Sequence, residues 1–137
     1  MKKIIFMLIM SIMQICLFAQ ENKQINVRQV LPLLYANIAK KAADKWPGDY
    51  EMQKYTIEKE CNAYIEYIAI RTKTNSIPED VLKQVCIAAL DKWCNNDWKN
   101  CVNETTEIDA MHACWDADWE MIVYTMKKQF DAYNSLK

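Results

Sequence analysis

Apolar residues recur at three- and four-residue intervals through most of the chain beyond residue 26. That interval gathers side chains on one face of an α-helix. Four helical segments follow. The first covers residues 27–46, with Val30, Leu31, Leu34, Ile38, Ala42 and Trp46 inward and Pro32 either opening the regular part or kinking it. Pro47-Gly48 ends it, and Asp49 is placed to cap a second helix over residues 50–74, whose inner face is expected to hold Ile57, Cys61, Tyr64, Ile65 and Ile68. A turn at residues 74–76 leads into a third helix over residues 77–94, with Ser76 and Glu79 at the spacing of a capping box and Val81, Leu82, Val85, Cys86, Ala89, Leu90 and Trp93 buried. A polar tract, residues 95–103, reads as a loop containing Trp98. The last helix is expected to start at Thr105 or Thr106 and run unbroken almost to the C-terminus, with Ile108, Met111, Trp115, Trp119, Ile122, Met126, Phe130 and Tyr133 along one stripe. Short connections favour antiparallel neighbours, so the expected fold is all-α, a small up-down bundle of about four helices.

Composition supports this class: one glycine and three prolines leave little punctuation for a β-rich fold. The N-terminus stands apart. Lys2 and Lys3 precede an apolar run at positions 4–18, and Ala19-Gln20 opens the polar region. This is the order of a secretory signal peptide, too short for a comfortable membrane span. Residues 1–19 are therefore read as a leader and 20–137 as a single helical domain. A lipoprotein signal ending at Cys16 is the alternative, opposed by the bulky Ile15 before it. Charged residues interrupt every later apolar stretch, so no membrane span is expected after cleavage. Losing Lys2 and Lys3 takes the formal charge from −1 to about −3, and with no basic stripe nucleic-acid binding is not expected.

Export changes how the sulfurs are read. Cys61, Cys86, Cys94, Cys101 and Cys114 lie beyond the leader, and in an oxidising compartment they suggest a disulfide framework. Folding the third helix back on the fourth brings Cys94 to Cys101 across the polar tract and Cys86 to Cys114 further down, where small alanines permit close approach. Nested bridges Cys94–Cys101 and Cys86–Cys114 are expected, each contributing about 2–4 kcal/mol, with Cys61 left as a free thiol packed as a small hydrophobe.

Candidate chemistry is sparse. His112, the single histidine, has Asp109 three positions before it and Asp116 four after, which on one helix would share a face. Three such ligands could approach a divalent metal or support acid–base work, but they are too few to define a site, and a solvated polar face explains them as well. No cofactor and no metal site is expected. Asp116, Asp118 and Glu120 lack the glycine of a calcium loop, and neither a G-x-S-x-G elbow nor a glycine-rich phosphate loop occurs. Charge is nevertheless uneven: Glu104, Glu107, Asp109, Asp116, Asp118 and Glu120 fall in a stretch without lysine or arginine. Together with Trp98 in its polar loop, Glu104, Glu107, Asp109 and Asp116 form the candidate surface for a basic protein partner.

Size, export and paired cysteines are shared with small periplasmic immunity and inhibitor proteins, although no motif allows residues to be carried over. The expectation is an exported, periplasmic or extracellular, non-enzymatic binding protein. A carrier of apolar ligands in a core cavity is the alternative, and a His112-centred hydrolase or metal site the remote one.

Overall fold

A computed structural model of the chain describes residues 26–72, 77–94, 98–104 and 106–137. The expected leader, Ser76 of the capping box and Thr105 lie outside the described residues. Within them the protein is all-helical, with seven helices: α1 (Val27–Val30), α2 (Pro32–Lys45), α3 (Tyr50–Thr72), α4 (Glu79–Trp93), α5 (Trp98–Glu104), α6 (Ile108–Cys114) and α7 (Trp119–Ser135).

Local chemistry explains most of the boundaries. Pro32 occupies the first position of α2, where its missing N–H costs nothing, and separates α2 from the single turn of α1. After α2 the chain turns at Gly48, whose φ of 79° suits a residue without Cβ. Asp49 then caps α3 as expected, its Oδ1 accepting from Met52 N at 3.0 Å. The α2–α3 hairpin is fastened at the same end, where Trp46 Nε1 donates to Thr56 Oγ1 (3.1 Å) and Gln53 Nε2 to the Trp46 carbonyl (2.8 Å). The third expected helix is present as α4, beginning just after Pro78.

Two expectations fail. The polar tract is not all loop, because Trp98 opens the short helix α5. The expected fourth helix is two helices, α6 and α7, separated at residues 115–118. The break has a local cause. Asp116 adopts φ 45°, a conformation that aspartate tolerates better than most residues, and Asp118 caps a new helix by accepting from Met121 N at 3.0 Å. Backbone from α4 seals the turn: Asp118 N donates to the Trp93 carbonyl (3.0 Å), and Cys94 forms an isolated antiparallel bridge with Ala117.

The polar contacts show that this break reverses the chain. Leu33 and Leu34 at the start of α2 meet Asp109, and Lys41, two turns later, meets Asp116 and Ala117, so α6 runs parallel to α2. Lys59 and Glu60 on α3 meet Glu120 and Trp119, and Glu66 meets Lys127, so α7 runs parallel to α3. Since α2 and α3 form an antiparallel hairpin, α6 and α7 are antiparallel to each other.

Both arms nevertheless face one core. Leu34, Ile38 and Ala42 from α2, Ala63, Tyr64, Tyr67 and Ile68 from α3, Cys86, Ala89 and Leu90 from α4, Met111 and Trp115 beside the reversal, and Trp119, Ile122, Met126 and Phe130 from α7 are buried. Val27 is buried where Val30 was expected, and Val30 is exposed. Among the described residues one disulfide forms, Cys101–Cys114, and it ties α5 to the end of α6. Neither expected bridge forms: Cys86 and Cys94 are free thiols, as is Cys61. Both predicted pairs assumed that Cys114 lay on an uninterrupted helix packed against α4. The reversal places Cys114 on the arm that lies along α2, and α5 brings Cys101 to it.

Candidate functional site

Candidate residues gather in two places, the centre of the core and a groove on the surface. His112 lies at the centre, buried, although a solvated face was the expectation. Its Nδ1 is 2.9 Å from the Tyr64 hydroxyl, and the rings of Tyr64, Tyr67, Trp115 and Trp119 pack around it at centroid distances of 4.3 to 6.3 Å. Burial, with Arg71 adding, pushes its pKa down to about 3, so the imidazole is neutral. Burial likewise drives the Tyr64 hydroxyl far above the ordinary tyrosine range and the Tyr67 hydroxyl to about 12, the latter receiving Arg71 Nη1 at 3.1 Å. This cluster closes a well-packed core around one polar ring.

Asp109 and Asp116 do not join His112. Asp109 turns to α2, where its two oxygens accept from Leu33 N (3.0 Å) and Leu34 N (2.8 Å). Asp116 sits in the reversal, 3.4 Å from Lys41 Nζ. One helical face was assumed for all three, and the helix ends before Asp116 is reached. Among the described residues no group of three or more His, Cys, Asp or Glu side chains is arranged to hold a metal ion.

The expected acidic surface is similarly engaged in internal contacts. Besides Asp109 and Asp116, Asp118 caps α7 and Glu120 pairs with Lys59 at 3.1 Å. Glu107 is exposed at the start of α6, while the side chain of Glu104 lies outside the described set. Trp98 is partly buried. It meets Trp115 edge-on at 5.6 Å and donates from Nε1 to Asp91 (2.9 Å), which also receives Lys99.

A surface feature without an internal role is a groove of about 720 Å³ between α1–α2 and α3. Its floor is Val27, Ile57, Cys61 and Ile65, the last three partly buried against the core. Arg28, Tyr35, Tyr50 and Lys54 stand along it, with Arg28 lying 5.6 Å over the Tyr35 ring and Tyr50 79% exposed. Asn26, Gln53, Glu58 and Asn62 supply amide and carboxylate groups. The α3 members, from Tyr50 to Ile65, fall at three- and four-residue steps, giving a stripe about 22 Å long at 1.5 Å per residue.

The stripe refines the expected inner face of α3. The expected inner face joins Ile57, Cys61 and Ile65 to Tyr64 and Ile68, and all five meet the core, the first three only partly buried at its edge. Ala63, Tyr64, Tyr67 and Ile68 are buried, whereas Ile57, Cys61 and Ile65 line the groove. An apolar stripe too wide for one contact face is the sequence signal that marks them. The Cys61 thiol, pushed up to about 11 by burial and by Glu60, stays protonated and is a poor nucleophile.

Comparison with protein-family models, curated proteins and solved structures finds no match to this chain. The class defined by the fold is therefore, among the described residues, an all-helical protein with one disulfide and no helix long and apolar enough to cross a membrane.

Proposed function

We propose that this chain is an exported, non-enzymatic binding protein that receives an extended segment of another protein in the groove between α1–α2 and α3. The observation that carries this reading is the unroofed apolar stripe of Ile57, Cys61 and Ile65 flanked by Arg28 and Lys54. The stripe is long enough for six or seven residues of extended chain at about 3.3 Å each. Asn26, Asn62 and the tyrosine hydroxyls offer donors and acceptors of the kind a peptide backbone requires. Lys54 is only loosely paired with Glu58, at 3.9 Å and largely in solvent, and Arg28 adds a second cation, so the favoured segment carries apolar and acidic side chains. An acidic partner replaces the basic one expected from composition, because most of the acids behind that expectation hold the fold together. Export is supported by the leader-like N-terminus and is compatible with the Cys101–Cys114 disulfide.

Fluorescence anisotropy with labelled ten-residue peptides, acidic–apolar and basic–apolar at equal hydropathy, tests the reading. The acidic series should bind, and the double variant Arg28→Glu, Lys54→Glu should weaken it at least tenfold while leaving the fold intact. Equal affinity for both series, or no change in the double variant, would remove the groove from consideration. Binding of the basic series alone would return attention to Glu107 and its neighbours.

A further inference from the structure

The reversal between α6 and α7 is fastened by a carboxylate that belongs to neither arm. Glu60, on α3, brings Oε2 to within 2.9 Å of Trp119 N, the first amide of α7. Helix N-termini attract negative charge, so a carboxylate here is unremarkable by itself. Its surroundings are less ordinary. Asp118 occupies the cap of the same helix, and Glu120 stands in its first turn. The two nearby cations are committed elsewhere: Lys41 to Asp116 and the Ala117 carbonyl, Lys59 to Glu120. Among the described residues no lysine or arginine forms an ion pair with Glu60. Cys61 follows Glu60 on α3, and from α4 Cys94 reaches the turn through its bridge to Ala117. A partly buried carboxyl group thus joins two helices beside two more acids and without a cation of its own.

We propose that Glu60 is a proton-operated fastener of the α6–α7 reversal, holding the start of α7 most firmly when it is neutral and loosening it when it ionises. The Trp119 amide and the Lys41 charge favour the ionised form. Burial and the charges of Asp118 and Glu120 outweigh them and raise the group from its ordinary range to about 7. A carboxyl raised in the folded state contributes stability that is complete below the unfolded value near 4.5 and is lost as pH climbs through 7. The first turn of α7 should therefore tighten on mild acidification. This device is independent of the groove and of any partner.

Two measurements decide it. In protein carrying ¹³C-labelled glutamate, the Glu60 side-chain carbon should titrate with a midpoint between pH 6 and 8; a midpoint near 4.5 would overturn the proposal. Hydrogen exchange at the Trp119 and Met121 amides, corrected for intrinsic rates, should lose protection as pH rises from about 5 to 7 and level off above that, approaching about tenfold per pH unit where a single proton controls opening. Glu60→Gln keeps an acceptor for Trp119 N but cannot ionise, so its protection should be flat over that range. A flat wild-type profile, or a slope that persists in Glu60→Gln, would refute the fastener. Should the variant fail to fold, the carbon titration of the wild type decides alone.

Discussion

Removing the side-chain oxygens of Asp109 should unfasten α2 from α6 and destabilise the whole protein. The start of α2 can be accounted for group by group. Pro32 has no N–H, Leu33 N and Leu34 N both donate to Asp109, and Tyr35 N donates to the Leu31 carbonyl at 3.0 Å. Leu31, at the cap position, supplies no side-chain acceptor. Asp109 is therefore the cap of α2, delivered from 76 residues away in sequence. A hydrogen bond to a charged group contributes roughly 1.5–3 kcal/mol, and loss of a helix cap costs about 0.5–2 kcal/mol. The Leu33 bond is exposed, so water replaces part of it, and the two bonds share one carboxylate. Asp109→Ala should then cost about 2–3 kcal/mol, and Asp109→Asn, which keeps one acceptor without the charge, about half as much. Urea unfolding followed by tryptophan fluorescence reads this directly. With an m-value of about 1.5 kcal/mol/M, the alanine variant should lower the midpoint by roughly 1.3–2 M. A midpoint within about 0.3 M of wild type would refute the capping role, provided Asp131→Ala on the exposed face of α7 is also neutral.

Three further outcomes are expected. His112 titrates well below its unfolded value of 6.5, so its contribution is present above pH 6.5 and is lost as pH falls toward 3. Urea midpoints should drop steeply below pH 6, by the equivalent of about 2–3 kcal/mol at pH 4.5, and His112→Gln should blunt that slope; an unaltered slope would assign the acid transition elsewhere. Tyr64→Phe leaves His112 Nδ1 without its partner in a buried site and should cost about 1–3 kcal/mol with no change in secondary structure; a neutral result would mean that the ring nitrogen finds another partner. Non-reducing peptide mapping should recover Cys101 joined to Cys114, and the serine double variant should lose about 3 kcal/mol for a loop of this size; a Cys94–Cys101 peptide would contradict the pairing.

Helical periodicity made the helical content legible, because α2, α3 and α4 each bury a stripe at 3.6-residue spacing and begin near a proline or an aspartate that marks their first turn. What periodicity could not report is which part of the apolar face of α3 is fully covered. Ile57, Cys61 and Ile65 carry the same hydropathy signal as Tyr64 and Ile68, and only the packing of Trp119 on Tyr64 and Tyr67 separates fully covered positions from those left partly exposed at the core's edge. The acids misled for a related reason. A run of carboxylates looks identical in sequence whether each faces water or caps a helix end, and Asp109 finds its amide donors on a helix 76 residues away.

The reversal at residues 115–118 is the most instructive difference, because most of the expected stripe is buried, Ile108 and Tyr133 only partly, while the chain takes another path. Met111, Trp115, Trp119, Ile122, Met126 and Phe130 are all buried, as one continuous stripe would have them. Periodicity records the phase of burial along the chain and not the direction in which the chain travels. The break falls between Trp115 and Trp119, four residues apart, so the phase passes through it unchanged. Both arms face the same core, one along α2 and the other along α3, and each side of the turn presents a tryptophan to the Tyr64–His112 cluster. The local signal lay in Asp116 and Asp118, residues that suit a positive φ and an N-cap respectively. Against a stripe of six well-spaced large side chains, two aspartates weigh little in a window average, although they set the path of the chain. The cysteine pairing failed as a consequence: a helix that turns back at Trp115 carries Cys114 away from Cys86 and leaves Cys101, on α5, as its partner.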